Sequence, residues 1–286
     1  MRVLVTGAGG QLGTDLVRAC EAAGDEVVAA SHARLDVADR DAVLGAVLSI
    51  RPDTVLHAAA WTAVDACEAD PERAHRENAL AVRHVAEACA RAGAHLLHVS
   101  TDYVFDGEQA APYVEWDRPN PQSVYGRSKL GGELEALWGC PGATVARTSW
   151  VCGAKGRNMV ATVLGLLEAD PGRELAFVSD QRGCPTFTGD LAPLLRRLAV
   201  ERRPGVFHTT NQGPVSWYEF VRAIVVAAGG DAGQVRPIAT ADLDPPRPAP
   251  RPKNSVLDGA ALRSSGIEPL AHWSDPLDRL VKELRS

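Results

Sequence analysis

With 286 residues, 45% of them hydrophobic and 23% charged, the chain has room for about two domains and the balance of a globular protein, not a disordered one. Its net charge of −6, with no basic block or aromatic–basic stripe, argues against a nucleic-acid partner. No apolar run approaches the ~18 residues that a membrane span needs, and Met1 leads straight into a strand pattern with no signal peptide, so no membrane partner is expected.

The six cysteines are scattered without a C-x-x-C pair, so reduced thiols in a cytoplasmic protein are expected, and no metal site. Arg2 to Thr6 is a short apolar, β-rich run, followed by Gly7-Ala8-Gly9-Gly10-Gln11-Leu12-Gly13 and then a helical pattern from Thr14 to Ala23. Strand, glycine turn and helix in that order point to a dinucleotide site. Gly7 would allow the tight turn, Gly10 would let a pyrophosphate approach the backbone, and Gly13 would let helix and strand pack closely. The helix N-terminus would face the phosphates. The spacing is G-x-x-G-x-x-G, which by itself also suits a structural turn.

The second strand, Glu26 to Ala30, ends at Ser31-His32-Ala33-Arg34, where an acid would bind the ribose 2′-hydroxyl of NAD. Ser31 would instead accommodate a 2′-phosphate, with His32 or Arg34 pairing to it, so NADPH is expected ahead of NADH. Asp36 and Val37 stand where an adenine ring would be held. A helix is expected from about Asp39 to Ile50, then a strand from Thr54 whose small residues Ala58, Ala59 and Ala60 would leave room for a cofactor at the sheet's carboxyl edge. Pro71 to Arg91 is helical by its buried stripe, with Asn78 read as a buried amide bridging backbone.

His95 to Val99 forms the next strand, ending at Ser100-Thr101-Asp102-Tyr103. Thr101 lies 24 residues before Tyr125. Tyr125 and Lys129, four apart, would share one helix face. An ammonium beside a phenol favours the phenolate, so Tyr125 is expected to exchange a proton nearer neutrality than the usual ~10. Thr101 would donate a hydrogen bond to a carbonyl while Tyr125 supplies the proton, which is chemistry for reducing a ketone. His57 and His98 are read as structural.

Farther along, Trp150 follows a strand at Thr144–Thr148 and offers a flat face for a sugar ring. Thr188 to Val200 is a helix with leucines at core spacing, and Gly205 to Thr209 is a late strand rejoining the first sheet. Ser216 caps a helix whose Trp217, Phe220 and Ile224 are read as core. Five prolines between Pro245 and Pro252 make a stiff loop that carries Arg247 and Arg251, with Lys253 and Asn254 beside it. These cations would clamp a diphosphate or simply be solvated, and Arg251 and Asn254 are the preferred pair.

The glycine segment, Ser100 to Gly107 and Tyr125-Gly126-Arg127-Ser128-Lys129 together resemble the extended short-chain dehydrogenases/reductases. Ala58 to Asp65, Arg147-Thr148-Ser149-Trp150 and Asp180 to Leu191 narrow the resemblance to the dTDP-4-dehydrorhamnose reductases and related sugar-nucleotide 4-ketoreductases. It covers nearly the whole chain. It implies a doubly wound parallel α/β (Rossmann) sheet over residues 1–148 plus about 188–212, and a smaller interleaved substrate domain over about 149–187 and 213–286. Thr101, Tyr125 and Lys129 fall on the family's catalytic positions. Asp102 and Trp150 fall on substrate positions, with Tyr103 taken beside them. Gln11, Leu12, Asp36, Val37, Ala60, Trp61 and Thr62 fall on cofactor positions.

Three positions depart from the family's pattern: Ser31 where an acid is frequent, Trp61 where tyrosine is usual, and Cys184 where serine or threonine is usual. The implied reaction is NAD(P)H-dependent reduction of the C4 ketone of a dTDP-4-keto-6-deoxy-L-hexose in deoxysugar biosynthesis. A regulatory subunit that binds NADP without turnover and a sugar-nucleotide epimerase are the alternatives. The family allows a homodimer, and nothing in the chain demands one.

Overall fold

The computed structural model describes residues 1–286 and holds one large parallel sheet with helices on both faces. The first half alternates strand and helix: β1 (Arg2–Thr6), α1 (Gln11–Ala22), β2 (Glu26–Ala30), α2 (Arg40–Ile50) and β3 (Thr54–His57). Short helices α3 (Val64–Ala69) and α4 (Pro71–His75) lead through a π-helical turn at Arg76–Leu80 into α5 (Ala81–Ala92), then β4 (His95–Thr101), α6 (Val124–Gly139) and β5 (Thr144–Thr148). Strand β3 stops at His57, so Ala58–Ala60 are loop residues rather than the strand end expected.

The chain then leaves the sheet through β6 (Val151–Cys152), α7 (Met159–Ala169), β7 (Leu175–Val178), β8 (Arg182–Gly183) and β9 (Thr186–Phe187). It returns through α8 (Thr188–Val200) and β10 (Gly205–His208), which pairs in parallel with β5. Beyond lie β11 (Val215–Ser216), α9 (Trp217–Ala227), β12 (Val235–Ile238), α10 (Ala260–Ser264) and α11 (Ser274–Arg285). The large sheet has six strands in the order β10-β5-β4-β3-β1-β2, all parallel. Strand order reverses between β1 and β3, and in such sheets the ligand crevice opens at the carboxyl ends of the strands at that reversal.

Three apolar cores follow from this layout. On one face α2, α5 and α6 bury Val43, Val47, Val82, Val85 and Ala136 against the sheet. On the other, α1 and α8 bury Leu16, Leu191, Leu195 and Leu198, each leucine contributing about 1.5–3 kcal/mol on full burial. Leu262 and Ile267 join this second core, so the segment around α10 packs on the nucleotide sheet, although sequence grouped it with the other part of the chain. The third core lies apart, where α7, α9 and α11 bury Val163, Phe220, Ile224 and Leu280 over the parallel pair β7–β12. All six cysteines are buried and unpaired, and no helix is long and apolar enough to cross a membrane.

Candidate active site

The glycine turn after β1 is shaped by contacts only glycine allows. Gly7 has φ +68°, and a Cβ there would stand 2.6 Å from the Ala59 nitrogen. A Cβ on Gly13 would stand 2.1 Å from the Gly7 carbonyl oxygen, so the first turn of α1 lies directly on the loop. Gly10 N–H donates to Gly7 O at 2.9 Å and closes the turn. No side chain caps α1, which leaves its first N–H groups facing the crevice. Gly7, Gly10, Gln11, Leu12 and Gly13 line a cavity of about 410 Å³, with Ala58, Ala60 and Thr62 also in its wall.

Gln11 contributes differently from the sequence expectation. Its Oε1 accepts from Gly153 N (3.1 Å) and Asn158 Nδ2 (3.0 Å), and its Nε2 donates to Arg157 O (2.9 Å). The side chain therefore clasps the 153–158 segment to the glycine turn. At the end of β2, Ser31 lies against the turn: a Cβ on Gly9 would be 3.6 Å from that of Ser31. Arg34 is exposed nearby and donates to Ala29 O at 3.3 Å. Asp36 accepts from Ala38 N at 2.9 Å, and Val37 is buried. A cradle that a Cβ would fill, an uncapped helix start, and a hydroxyl with a guanidinium at the end of β2 together fit a dinucleotide with a phosphorylated ribose.

The next strands bring the proton chemistry to the same cavity. Helix α6 starts at Ser123, whose hydroxyl accepts from Gly126 N at 3.0 Å. Glycine is a poor helix former, yet here it lets the helix press inward. A Cβ at Gly126 would be 2.2 Å from Tyr103 O, and one at Gly132 would be 2.3 Å from Asn78 O. Asn78 is the buried bridging amide expected: it accepts from Trp61 N (2.8 Å) and donates to Trp61 O and Ser128 Oγ (both 3.0 Å). Tyr125 and Lys129 are both buried on one face of α6 and both line the cavity beside Thr101.

Their electrostatics differ from the expected acidic phenol. Burial raises the Tyr125 pKa above the ordinary phenol range, opposed by the facing Thr101 hydroxyl and reinforced by Asp102. The Lys129 ammonium points instead to Val99 O, at 2.8 Å, and to His98 Nε2, at 3.4 Å. Burial pushes the Lys129 pKa down to about 8, with Glu133 lifting it. Desolvation thus outweighs the i, i+4 pairing that spacing alone brings to mind. Thr101 Oγ1 donates to Asp102 Oδ1 (3.0 Å) and accepts from Tyr103 N (3.3 Å), so it also closes its own strand end. Burial lifts Asp102 to about 6 against hydroxyls from Ser255 and Thr101. His57 and His98 are fully buried, stacked at 5.3 Å and shifted below the usual imidazole range by burial, which fits a structural pair.

An aromatic wall completes the cavity. Trp150 has φ +45°, a left-handed conformation rare for a bulky residue, and Gly183 makes room for its ring, since a Cβ there would be 2.5 Å from the indole. Trp150 stacks on Trp217 with centroids 3.5 Å apart and planes 6° apart. Trp217 packs against the third core, as expected, and also lines the cavity. It opens α9, whose Ser216–Glu219 capping box fixes that end, so the first residue of an otherwise buried stripe overhangs the site. Helical spacing carries no signal for that overhang.

Tyr103 and Trp217 also line an adjoining cavity of about 250 Å³, walled by Met159, Phe177 and Val178 and reached by Arg247 and Arg251. Arg251 is not a free clamp. It forks onto Asp65 of α3, with Nη2 to Oδ2 at 2.7 Å, and Arg247 stands 3.7 Å from the same carboxylate. Asn254 donates to Gln109 O (2.8 Å) and accepts from Val256 N (3.2 Å), which fastens a loop outside the cavity. The fold therefore assembles the glycine turn, Thr101, Asp102, Tyr103, Tyr125, Lys129 and Trp150 around one cavity. It holds Arg251 at the neighbouring cavity and Asn254 away from both.

The whole chain, residues 1–286, matches the family model described as RmlD substrate binding domain. It is 42% identical to the dTDP-4-dehydrorhamnose reductase of Streptomyces griseus over 95% of this chain and 90% of that one. It is 43% identical to a probable dTDP-4,6-dihydroxy-2-methyloxan-3-one 4-ketoreductase of Streptomyces antibioticus, over 97% and 93%. The crystal structure of dTDP-4-dehydrorhamnose reductase from Bacillus anthracis in complex with NADP superposes with a TM-score of 0.94 at 34% identity, covering 99% of both chains.

Proposed function

The chain belongs to the RmlD substrate binding domain family, and from that premise we propose that it reduces the C4 ketone of a dTDP-4-keto-6-deoxy-L-hexose with NADPH. The observation that carries this reading is the convergence of Thr101, Tyr125 and Lys129 on the cavity that the glycine turn opens. When bound there, the reduced nicotinamide supplies hydride to the ketone carbon. Gly7, Gly10 and Gly13 give the dinucleotide its close approach, and Ser31 with Arg34 suits the ribose phosphate of NADPH.

Tyr125 then acts as the proton donor. A phenol whose pKa lies above its ordinary range stays protonated at neutral pH, and an alkoxide is a stronger base than a phenolate, so the proton runs downhill in the direction of reduction. The raised pKa keeps the phenol in its proton-bearing form, as reduction requires, while making it a weaker acid, so the basicity of the alkoxide supplies the driving force. The Thr101 hydroxyl, which donates to Asp102 in this structure, turns to donate to the same oxygen and orients it. Lys129 places a cation beneath the site that stabilises the phenolate left behind. Asp102, Tyr103 and the Trp150 face are the sugar contacts in this reading.

A panel of dTDP-4-keto-6-deoxy-L-hexoses, followed by loss of NADPH absorbance, tests the assignment, with products read by NMR. Turnover of at least one member is the expected result. NADPH binding without consumption across the panel would sink the enzyme reading in favour of a regulatory subunit. Trp217→Ala removes one plate of the aromatic wall. Its KM for the nucleotide sugar is expected to rise roughly tenfold with kcat within about threefold, the size of one lost aromatic stacking contact. An unchanged KM would leave Trp217 with its core contact alone.

A further inference from the structure

Beneath the cavity lies a buried ion pair, Glu133 with Arg147, that the reaction as described does not use. Tyr125, Lys129 and Glu133 recur every four residues along α6 and are 7%, 2% and 2% exposed. Each faces one of the last three residues of β4. The Lys129 ammonium donates to Val99 O at 2.8 Å, Ser100 Oγ donates to Glu133 Oε1 at 2.6 Å, and the Thr101 hydroxyl faces the Tyr125 phenol. Glu133 also receives a two-pronged ion pair from Arg147 of β5, Nε at 2.8 Å and Nη2 at 2.7 Å. The Arg147 guanidinium lies 5.1 Å over the Phe105 ring, and its Nη1 has no partner.

We infer that Glu133, held by Arg147 and Ser100, is a positioning residue for ketone reduction: it locks α6 in register on β4 and supplies the negative charge that keeps the Lys129 ammonium in place beneath the site. A buried ion pair is an inefficient stabiliser, because apolar residues of similar volume frequently serve the fold as well. Its place one helical turn beyond Lys129 gives it a role that stability does not supply.

Among the charges around Lys129, Glu133 is the one that favours the ammonium. From α6 itself the other titratable neighbour is Tyr125, a neutral phenol. From β4 and β3 come His98 and His57, whose pKa values burial and Lys129 hold low, so both are uncharged. Asp102, beyond the end of β4, shares the cavity wall, and its carboxyl titrates near 6. Arg147 approaches from β5 with its charge turned onto Glu133. Burial favours loss of the lysine proton and Glu133 opposes it, so removing Glu133 moves that loss to lower pH.

The inference rests on the reductase reading, and one series of measurements keeps the two apart. The pH dependence of kcat at saturating NADPH and nucleotide sugar is compared for the parent enzyme, Glu133→Gln and the pair Glu133→Leu with Arg147→Met. Absence of turnover in the parent overturns the reductase reading itself. With the parent active, its rate is expected to fall as Lys129 loses its proton near pH 8, and this basic limb moves to lower pH by about one unit in Glu133→Gln and by less in the double variant, which loses the Arg147 cation as well. The double variant leaves no lone buried charge, so it decides the matter if the Gln variant fails to fold. A basic limb at the parental position in the folded double variant overturns the inference and makes the cluster purely structural.

Discussion

Tyr125→Phe is expected to lower turnover by ~10²–10⁴-fold while leaving NADPH affinity within a few-fold. The substitution removes one oxygen from a ring that is already 7% exposed and packed edge-on against Tyr103, with centroids 5.5 Å apart, so the wall of the cavity survives. What disappears is the neutral proton donor opposite Thr101. The Thr101 hydroxyl does not replace it, because an aliphatic alcohol is a far weaker acid than a phenol and orients the oxygen without giving up its proton. Steady-state kinetics alongside a fluorescence titration with NADPH separate the two effects. Near-normal kcat in the variant would mean that another group, Asp102 with its carboxyl near 6 being the foremost, delivers the proton.

Gly13→Ala is expected to have the second largest effect, and it acts on the fold and the cofactor together. The new methyl would meet Gly7 O at 2.1 Å, Gly7 C at 2.7 Å and Ala8 Cα at 2.8 Å, all of them backbone atoms. No side chain can rotate away, so α1 must back off the turn. A loss of about 2–3 kcal/mol is expected, typical of overpacking, which corresponds to a fall in Tm of ~5–10 °C for a chain of this length. NADPH affinity should fall more than tenfold, since the turn and the helix start are what face the phosphates. Gly45→Ala is the control. It lies in α2 with nothing within 4 Å of the new Cβ, so it should stabilise by about 0.5–1 kcal/mol and leave NADPH affinity unchanged. Thermal melts and titrations of the two variants check both statements, and equal effects would remove the steric argument.

These two sites were legible in the chain because their information is local. A glycine turn between strand and helix, a strand ending in Ser100-Thr101, and Tyr125 four residues before Lys129 are patterns within a few positions, and the parallel sheet carries all three to one edge. What escaped sequence reading depends on partners far along the chain. Gln11 is spent on residues 153–158, Arg251 on Asp65, and Asn254 on Gln109, each more than 140 positions away. Nothing in the spacing around Arg251 announces that a carboxylate from α3 will neutralise it. The place of Trp217 in the cavity wall, beside its expected core contact, escaped for a different reason: helical periodicity distinguishes a buried face from a wet one but not the middle of a stripe from its overhanging end.

The acidic phenol failed because spacing reports proximity, whereas a pKa also depends on desolvation: burial raises Tyr125, and the Lys129 ammonium is turned to Val99 and His98. Glu133 reads in sequence as one more polar residue of a helix. Only the fold reveals that Arg147 from β5 and Ser100 from β4 converge on it.

The account turns on hydride and proton reaching the same ketone from opposite partners, the cofactor and Tyr125. Its most direct test is turnover of a dTDP-4-keto-6-deoxy-L-hexose with NADPH deuterated at the transferable position, followed by NMR of the sugar. One deuteron bonded to the sugar C4 for each NADPH consumed is the predicted result; a product with only protium at C4, or a sugar changed while NADPH persists, would contradict it.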